Sequence, residues 1–190
     1  SSGRIIANGR PGRYPGVVGT SVASDPWFRE AMATPDGTSF TVADITRNPT
    51  LGGAQVATYA TAIRAGADTY GDPIGALGIF FDWEPQARTV VEGVRLDPED
   101  KARSRCLLLD SRHRVIASSD GAGILTETVP LKVGTTRTGN YLDTGGDLVA
   151  FARTPGYETY AGLGWYGVII QSLAGQDAKA AIDAHTAYSV

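Results

Sequence analysis

A recurrence constrains this chain more than any single motif. Arg4-Ile5-Ile6-Ala7-Asn8, followed by Gly9, returns about 110 residues later as Arg114-Val115-Ile116-Ala117-Ser118, followed by Gly121. Each copy is a short β-rich run ended by turn formers. The second copy has a partner before it, Arg105-Cys106-Leu107-Leu108-Leu109, joined through Asp110-Ser111-Arg112-His113, and the two read as a hairpin. The first copy has no such partner, so the matching strand is expected upstream in a longer protein, or its place is open. A second recurrence follows in the same order. The runs 56–63 and 74–81 are answered by 148–152 and 163–170, each pair linked by a Gly- or Pro-containing segment, as in an antiparallel meander. Hairpin then meander, in both halves, points to duplication.

Between these features, Asp25-Pro26-Trp27-Phe28-Arg29-Glu30-Ala31-Met32 carries an N-cap residue, a proline at the first helical position and an apolar face at helical spacing. A strand is predicted over 39–45. A helix is predicted over 84–96, connecting the halves and ended by Asp97-Pro98-Glu99-Asp100. The second half has only a weakly patterned stretch, 121–135, where the first has its helix. The alanine-rich stretch from Leu173 to Tyr188 predicts a C-terminal helix. The fold class is therefore α+β. It has a first module over 1–97, a smaller second module over 98–172, and a terminal helix over 173–190.

Composition narrows the function classes. Of the 190 residues, 42% are hydrophobic and 19% charged, enough to bury a core, and the formal net charge is −3. Lys and Arg are scattered among acids, so no basic stripe would draw nucleic acid. The single cysteine, Cys106, stands before three leucines and reads as a small buried apolar residue. It decides nothing about compartment. No apolar run approaches the ~20 residues that span a membrane. The opening Ser1-Ser2-Gly3 is no leader, and reads as a cut through a longer polypeptide whose anchors lie outside this sequence.

The order of strand, short helix, strand, two long antiparallel strands and connecting helix resembles the Cache domains. These are PAS-like extracytoplasmic sensors of bacterial chemoreceptors, histidine kinases and cyclic-di-nucleotide enzymes. Gly3-Arg4-Ile5-Ile6-Ala7-Asn8 resembles the second strand of a PAS hairpin, and Trp27-Phe28-Arg29-Glu30-Ala31 the aromatic pair and alanine of the pocket helix. Gly75-Ala76-Leu77-Gly78-Ile79 resembles the last long strand. Leu108 to Ser118 resembles the hairpin opening a second module, and Gly164-Trp165-Tyr166-Gly167-Val168 that module's final strand. The chain is thus similar to a double Cache domain of two PAS-like antiparallel modules, lacking the long N-terminal helix of that family. The amino-acid-binding pattern of the family is largely broken. Asp25 stands where an arginine grips the ligand carboxylate, Phe28 replaces a tyrosine, Val42 another tyrosine, and Phe80 an aspartate. Asp44 matches, and Asp82 lies two residues beyond Phe80.

The resemblance and the residues together nominate Trp27, Phe28, Asp44, Tyr59, Thr61, Arg64, Phe80 and Asp82 as ligand-binding. By the two-residue strand period Asp44 shares a face with Phe40 and Val42, and a carboxylate there needs a partner. Tyr59 and Thr61 share one face of a long strand, with Arg64 just past its end, where a guanidinium suits a carboxylate. Asp82 and Glu84 are roughly 6.5–7 Å apart if extended, within the range of a glycosidase pair. Pro85 instead marks a strand-to-helix corner where Glu84 is a first-turn acid. His113 and His185 have no ligating neighbours at metal spacing and read as solvated. Gly145-Gly146-Asp147 reads as a turn. No catalytic residue, metal or cofactor is implied.

The favoured expectation is a ligand-binding sensor of a bacterial receptor. It would bind a small molecule between the sheet, the Trp27 helix and the loop near Arg47–Gly53. It would be extracytoplasmic, anchored by segments outside this sequence, and homodimeric in the full receptor. The alternatives are a cytoplasmic PAS-like dimerisation domain without ligand and, more weakly, a carboxylate-dependent hydrolase.

Overall fold

Residues 54–82 are rich in β-branched and aromatic side chains, interrupted only around Gly66 to Pro73, and they fold as two long strands lying side by side. The computed structural model describes residues 2–156 and 162–173. The chain divides between Glu84 and Pro85 into two compact units. In the first, helix α1 (Pro26–Met32) precedes β1 (Thr41–Asn48), β2 (Ala54–Arg64) and β3 (Pro73–Asp82). These strands make an antiparallel sheet in the order β1-β2-β3. On one face of β2, Val56, Thr58, Ala60 and Ala62 are all buried. On the other, Tyr59 and Ile63 are exposed, opposite Ile79 and Gly75 of β3.

The linking helix is shorter than expected. α2 (Trp83–Glu92) stops before Gly93, and Asp97-Pro98 starts a separate helix, α3 (Pro98–Ala102), instead of merely ending the first. The Asp97 carboxylate accepts the Asp100 N–H at 2.8 Å, and Pro98 takes the first position where no N–H is needed.

The second unit holds β4 (Ser104–Leu109), β5 (Val115–Ser118), β6 (Thr138–Leu142), β7 (Leu148–Arg153) and β8 (Tyr166–Gln171). Their antiparallel order is β5-β4-β8-β7-β6. β6 had no sequence signal, since Gly139 and Asn140 interrupt it. It forms because the turn before β7 aims it there, with the Asp143 carboxylate accepting the N–H groups of Gly145 and Asp147 at 2.8 and 3.0 Å. The core of this unit is Leu107, Leu109, Val115, Val149, Phe151, Tyr166 and Val168, closed by Leu131 with Ile124, Val129 and Val133. The irregular stretch 121–135 thus does in this unit what a helix does in the first. Cys106 is buried and free, and burial pushes its thiol pKa up.

Two other expectations change. Arg4–Asn8 forms no sheet strand; Arg4 makes an isolated bridge to Ser21. His113 is not simply solvated. Its Nδ1 accepts the Leu131 N–H at 3.4 Å and its ring meets Tyr166 edge-on at 5.3 Å. The expected C-terminal helix and His185 lie outside the described residues, apart from Leu173.

The β4–β5 hairpin is closed by one buried carboxylate. Asp110 accepts the backbone N–H groups of Arg112 and Arg114 at 2.9 and 3.0 Å and the Arg114 Nε–H at 2.9 Å. Asp110→Ala leaves these donors without that acceptor and is expected to cost about 2–4 kcal/mol, read as a lower urea midpoint at unchanged slope. Nearby, Arg105 donates to both Glu127 oxygens at 2.8 Å, holding that carboxyl below its usual 4.5. A depressed carboxylate stabilises above its unfolded pKa, and that stabilisation is lost as pH falls through its folded one. Glu127→Gln is therefore expected to flatten the loss of urea midpoint below about pH 4.5, with an effect at pH 7 of less than about 1 kcal/mol because the pair is partly exposed.

Candidate functional site

Pro26 begins α1, and Asp25 before it has the extended backbone of an N-cap, but its carboxylate caps nothing. Asp25 Oδ2 instead accepts the indole Nε1–H of Trp27 at 3.3 Å. That bond turns the ring down onto the sheet. Trp27 meets Phe80 of β3 edge-on at 5.3 Å and Phe28 at 5.9 Å, a geometry favoured by the ring quadrupoles. Gly78 makes room. A β-carbon there would lie 2.9 Å from Trp27 Cζ3. Because Gly78 pairs with Ala60, and Phe80 with Thr58, the helix-facing side of the sheet is the one bearing Thr58, Ala60, Gly78 and Phe80. Ala31, fully buried, lets the helix approach closely.

One polar fastener holds the end of α1, and a carboxylate shapes the turn that follows it. Arg64 Nη1 donates to the Gly71 carbonyl at 2.9 Å, and Nη2 donates to the Thr34 carbonyl and, at 3.3 Å, to Thr34 Oγ1. One guanidinium thus ties the end of α1, where helix carbonyls lack partners, to the β2–β3 connection. Asp36 Oδ1 accepts from the N–H and hydroxyl of both Thr38 and Ser39 at 2.7–3.0 Å. The Thr38 and Ser39 hydroxyls, with the backbone donors, hold its carboxyl below the usual range. Residues 36–39 are thereby folded into a tight turn before β1, and the Gly37 N–H donates to the Thr69 carbonyl at 2.8 Å in the β2–β3 connection.

The structure brings some of the nominated residues together and separates others. Trp27, Phe28 and Phe80 form one aromatic group under Asp25. Arg64 is on the helix side, but its bonded nitrogens face Thr34 and Gly71. Tyr59 and Thr61 project from the opposite face; Thr61 Oγ1 donates to the Ser39 carbonyl at 2.7 Å. Asp44 sits in a register irregularity between Ala43 and Thr46, so the two-residue period from Phe40 and Val42 does not carry through to it. Asp82 pairs with Arg13 at 3.3 Å, and Glu84 lies in the first turn of α2. Sequence reasoning missed Gly78 and the Asp25–Trp27 bond. The i, i+2 spacing of an acid and a tryptophan across a helix start was the available signal for the second. The outer face of the sheet carries Tyr59, Leu77, Ile79 and Phe81, each 40–55% exposed.

Compared with solved structures, the chain is similar to the ligand-binding domain of the Pseudomonas aeruginosa amino-acid chemoreceptor PctC in complex with GABA. Identity is 13%, covering 80% of this chain and 63% of that one, with a TM-score of 0.56. It is similar to the sensor domain of the V. cholerae histidine kinase DctB, at 13% identity, 90% and 68% coverage and a TM-score of 0.55. A third likeness is to the ligand-binding domain of Pseudomonas aeruginosa PctB in complex with L-Arg, at 14% identity, 82% and 58% coverage and a TM-score of 0.53. The chain spans about three-fifths of the length of the chemoreceptor domains it resembles. No protein-family model and no curated protein matches it. At these identities the likeness establishes the fold: the chain has the α+β, two-sheet architecture of bacterial Cache-type sensor domains, as the sequence resemblance implied.

Gly78→Val is expected to push Trp27 off the sheet, lowering stability by about 1–3 kcal/mol and shifting indole emission. In a Trp27→Phe background the same substitution should leave emission unchanged.

Proposed function

We propose that this chain is the ligand-binding sensor domain of a bacterial signal-transduction receptor, taking a small metabolite between α1 and the helix-facing side of the first sheet. The observation that carries this reading is the shared fold, over 80–90% of this chain, with sensor domains of chemoreceptors and a histidine kinase. The aromatic group of Trp27, Phe28 and Phe80, with a carboxylate at its rim, supports it as the binding wall. The first module, 1–97, carries the site. The second, 98–172, has its equivalent space filled by its own side chains and acts as the connector to 173–190 and the output region. Ligand would favour one arrangement of the protein by binding it more tightly. The domain works outside the cytoplasm, held to the membrane by segments beyond this sequence; among the described residues no helix is long and apolar enough to cross a membrane.

Asp25, in place of a carboxylate-gripping arginine, favours a ligand with a cationic or hydrogen-bond-donating end, because two anions in a desolvated site repel. Asp44 is the second acceptor in this reading, and Arg64 positions α1 instead of touching ligand. A hydrolase is the weaker reading, since Asp82 is engaged by Arg13 and Glu84 belongs to a helix start. A ligand-free dimerisation domain is favoured by one observation, the exposed apolar outer face of the first sheet.

The test is thermal shift followed by calorimetry with amines, small carboxylates and amino acids. A cognate ligand at 100 times its Kd should add about 2.7 kcal/mol of stability, and Trp27→Ala and Asp44→Ala should each weaken binding at least about tenfold. Tight binding of an α-amino acid that survives both substitutions would place the site elsewhere. No ligand at all, with a concentration-dependent melting temperature, would favour the dimerisation domain.

A further inference from the structure

Helix α3 buries none of its five residues. A helix so short does not hold itself in water. Its place is therefore set by polar bonds, and these run to two parts of the chain far apart in sequence. On the side of the preceding chain, Lys101 Nζ donates at 3.4 Å to the carbonyl of Glu92, the last residue of α2. α2 in turn follows β3 with no residue between them, Asp82 ending one and Trp83 beginning the other. On the side of the following chain, Asp100 Oδ1 accepts the Gln171 Nε2–H at 2.8 Å, and the Ser172 N–H donates to the Arg103 carbonyl at 3.0 Å. Gln171 is the last residue of β8, the point where the chain leaves the sheet.

Gln171 is only 6% exposed, so its amide is a buried group that needs a partner, and that partner stands on a surface helix. Arg103 Nε donates to the same carboxylate oxygen at 3.1 Å, and Arg103 Nη2 bonds it as well. Arg103 first, then Asp97 and Gln171, hold the Asp100 carboxyl below its usual 3.8, so the clasp keeps its charge into acid. A second partner for Gln171 stands opposite it. Ser104 of β4 pairs in register with Gln171, which puts the two side chains on one face. The Ser104 hydroxyl is buried and has no hydrogen-bond partner among the described residues. A Gln171 amide released by Asp100 thus has an acceptor on the neighbouring strand, and the Ser104 hydroxyl gains the bond it lacks. Two discrete arrangements are what an element needs in order to switch.

We propose that α3 is a coupling element that ties the end of α2 to the end of β8 through the Asp100–Gln171 clasp. A shift of α3 moves the Gln171 amide from Asp100 to Ser104 and is felt where the chain leaves the sheet. The proposal does not depend on whether a ligand binds under α1.

The test is residue-resolved amide exchange in the intact chain, read at Ser172, whose N–H is held by the Arg103 carbonyl. Residues 106–108 of the central strand β4 serve as reference. Asp97→Ala removes the cap at the start of α3 and should speed Ser172 exchange about threefold or more, with the reference unchanged within about twofold. Gln171→Met keeps the volume, removes the donor, and should by itself speed Ser172 exchange about tenfold. With the clasp already broken, adding Asp97→Ala should change it by less than about twofold. Asp100→Ala, on the surface, takes the place of Gln171→Met in this comparison if the buried substitution does not fold. Ser104→Ala removes the alternative partner and should hold the response to Asp97→Ala below about twofold. A Ser172 amide indifferent to Asp97→Ala, or one that responds equally with and without the clasp, would overturn the proposal.

Discussion

Both units depend on one constraint, the antiparallel pairing of a long strand with the strand that returns beside it. β2 and β3 pair from Val56–Asp82 to Arg64–Pro73, and β7 and β8 from Leu148–Gln171 to Arg153–Tyr166. The pairing satisfies the backbone groups along both strands and sets which side chains face the core. In the first unit, that choice of face decides that Gly78 and Phe80 look toward α1 while Tyr59, Leu77 and Ile79 look away.

On this platform the units diverge in what covers the core side. The second is closed by apolar side chains of an irregular stretch, with Leu131 packed among Leu109, Val115 and Tyr166. The first is covered by a seven-residue helix, too short to hold itself in water. Its position is set by side chains instead. Ala31 seats it, the Asp25–Trp27 bond orients its ring, and the Arg64 guanidinium fastens its exit. A short helix held by a few polar contacts is a natural place for an element whose position a ligand biases. The same contacts explain why Arg64, suited in isolation to grip an anion, serves the scaffold.

Much of the fold was legible because local chemistry spoke for it. The β2, β3, β7 and β8 runs are long and rich in strand formers; the β4–β5 hairpin has an aspartate that builds its turn; Pro26 sits where a helix can begin. β6 was not legible, because Thr138–Leu142 has no strand character apart from its neighbour β7. The split between α2 and α3 was missed because Asp97-Pro98 is as good a helix start as it is a helix stop. In the candidate site, Trp27, Phe28 and Phe80 were found from their types and order, while the face of Tyr59 and Thr61 and the bulge beneath Asp44 were not. Strand parity counts positions, and a register irregularity resets the count.

The sequence alone thus determined the elements that carry their own hydrogen-bonding or steric instructions: the hairpin, the long meanders, the helix start at Asp25-Pro26 and the burial of Cys106. It also carried the recurrence of similar runs in the two halves. Tertiary structure alone decided how each half uses it. Ile116 in β5 is fully buried whereas Ile6, in the matching run, is 89% exposed, and whether Arg64 meets a ligand or the carbonyls of Thr34 and Gly71 depends on where α1 ends. Burial and partner choice belong to the space between elements, which no run of residues encodes by itself.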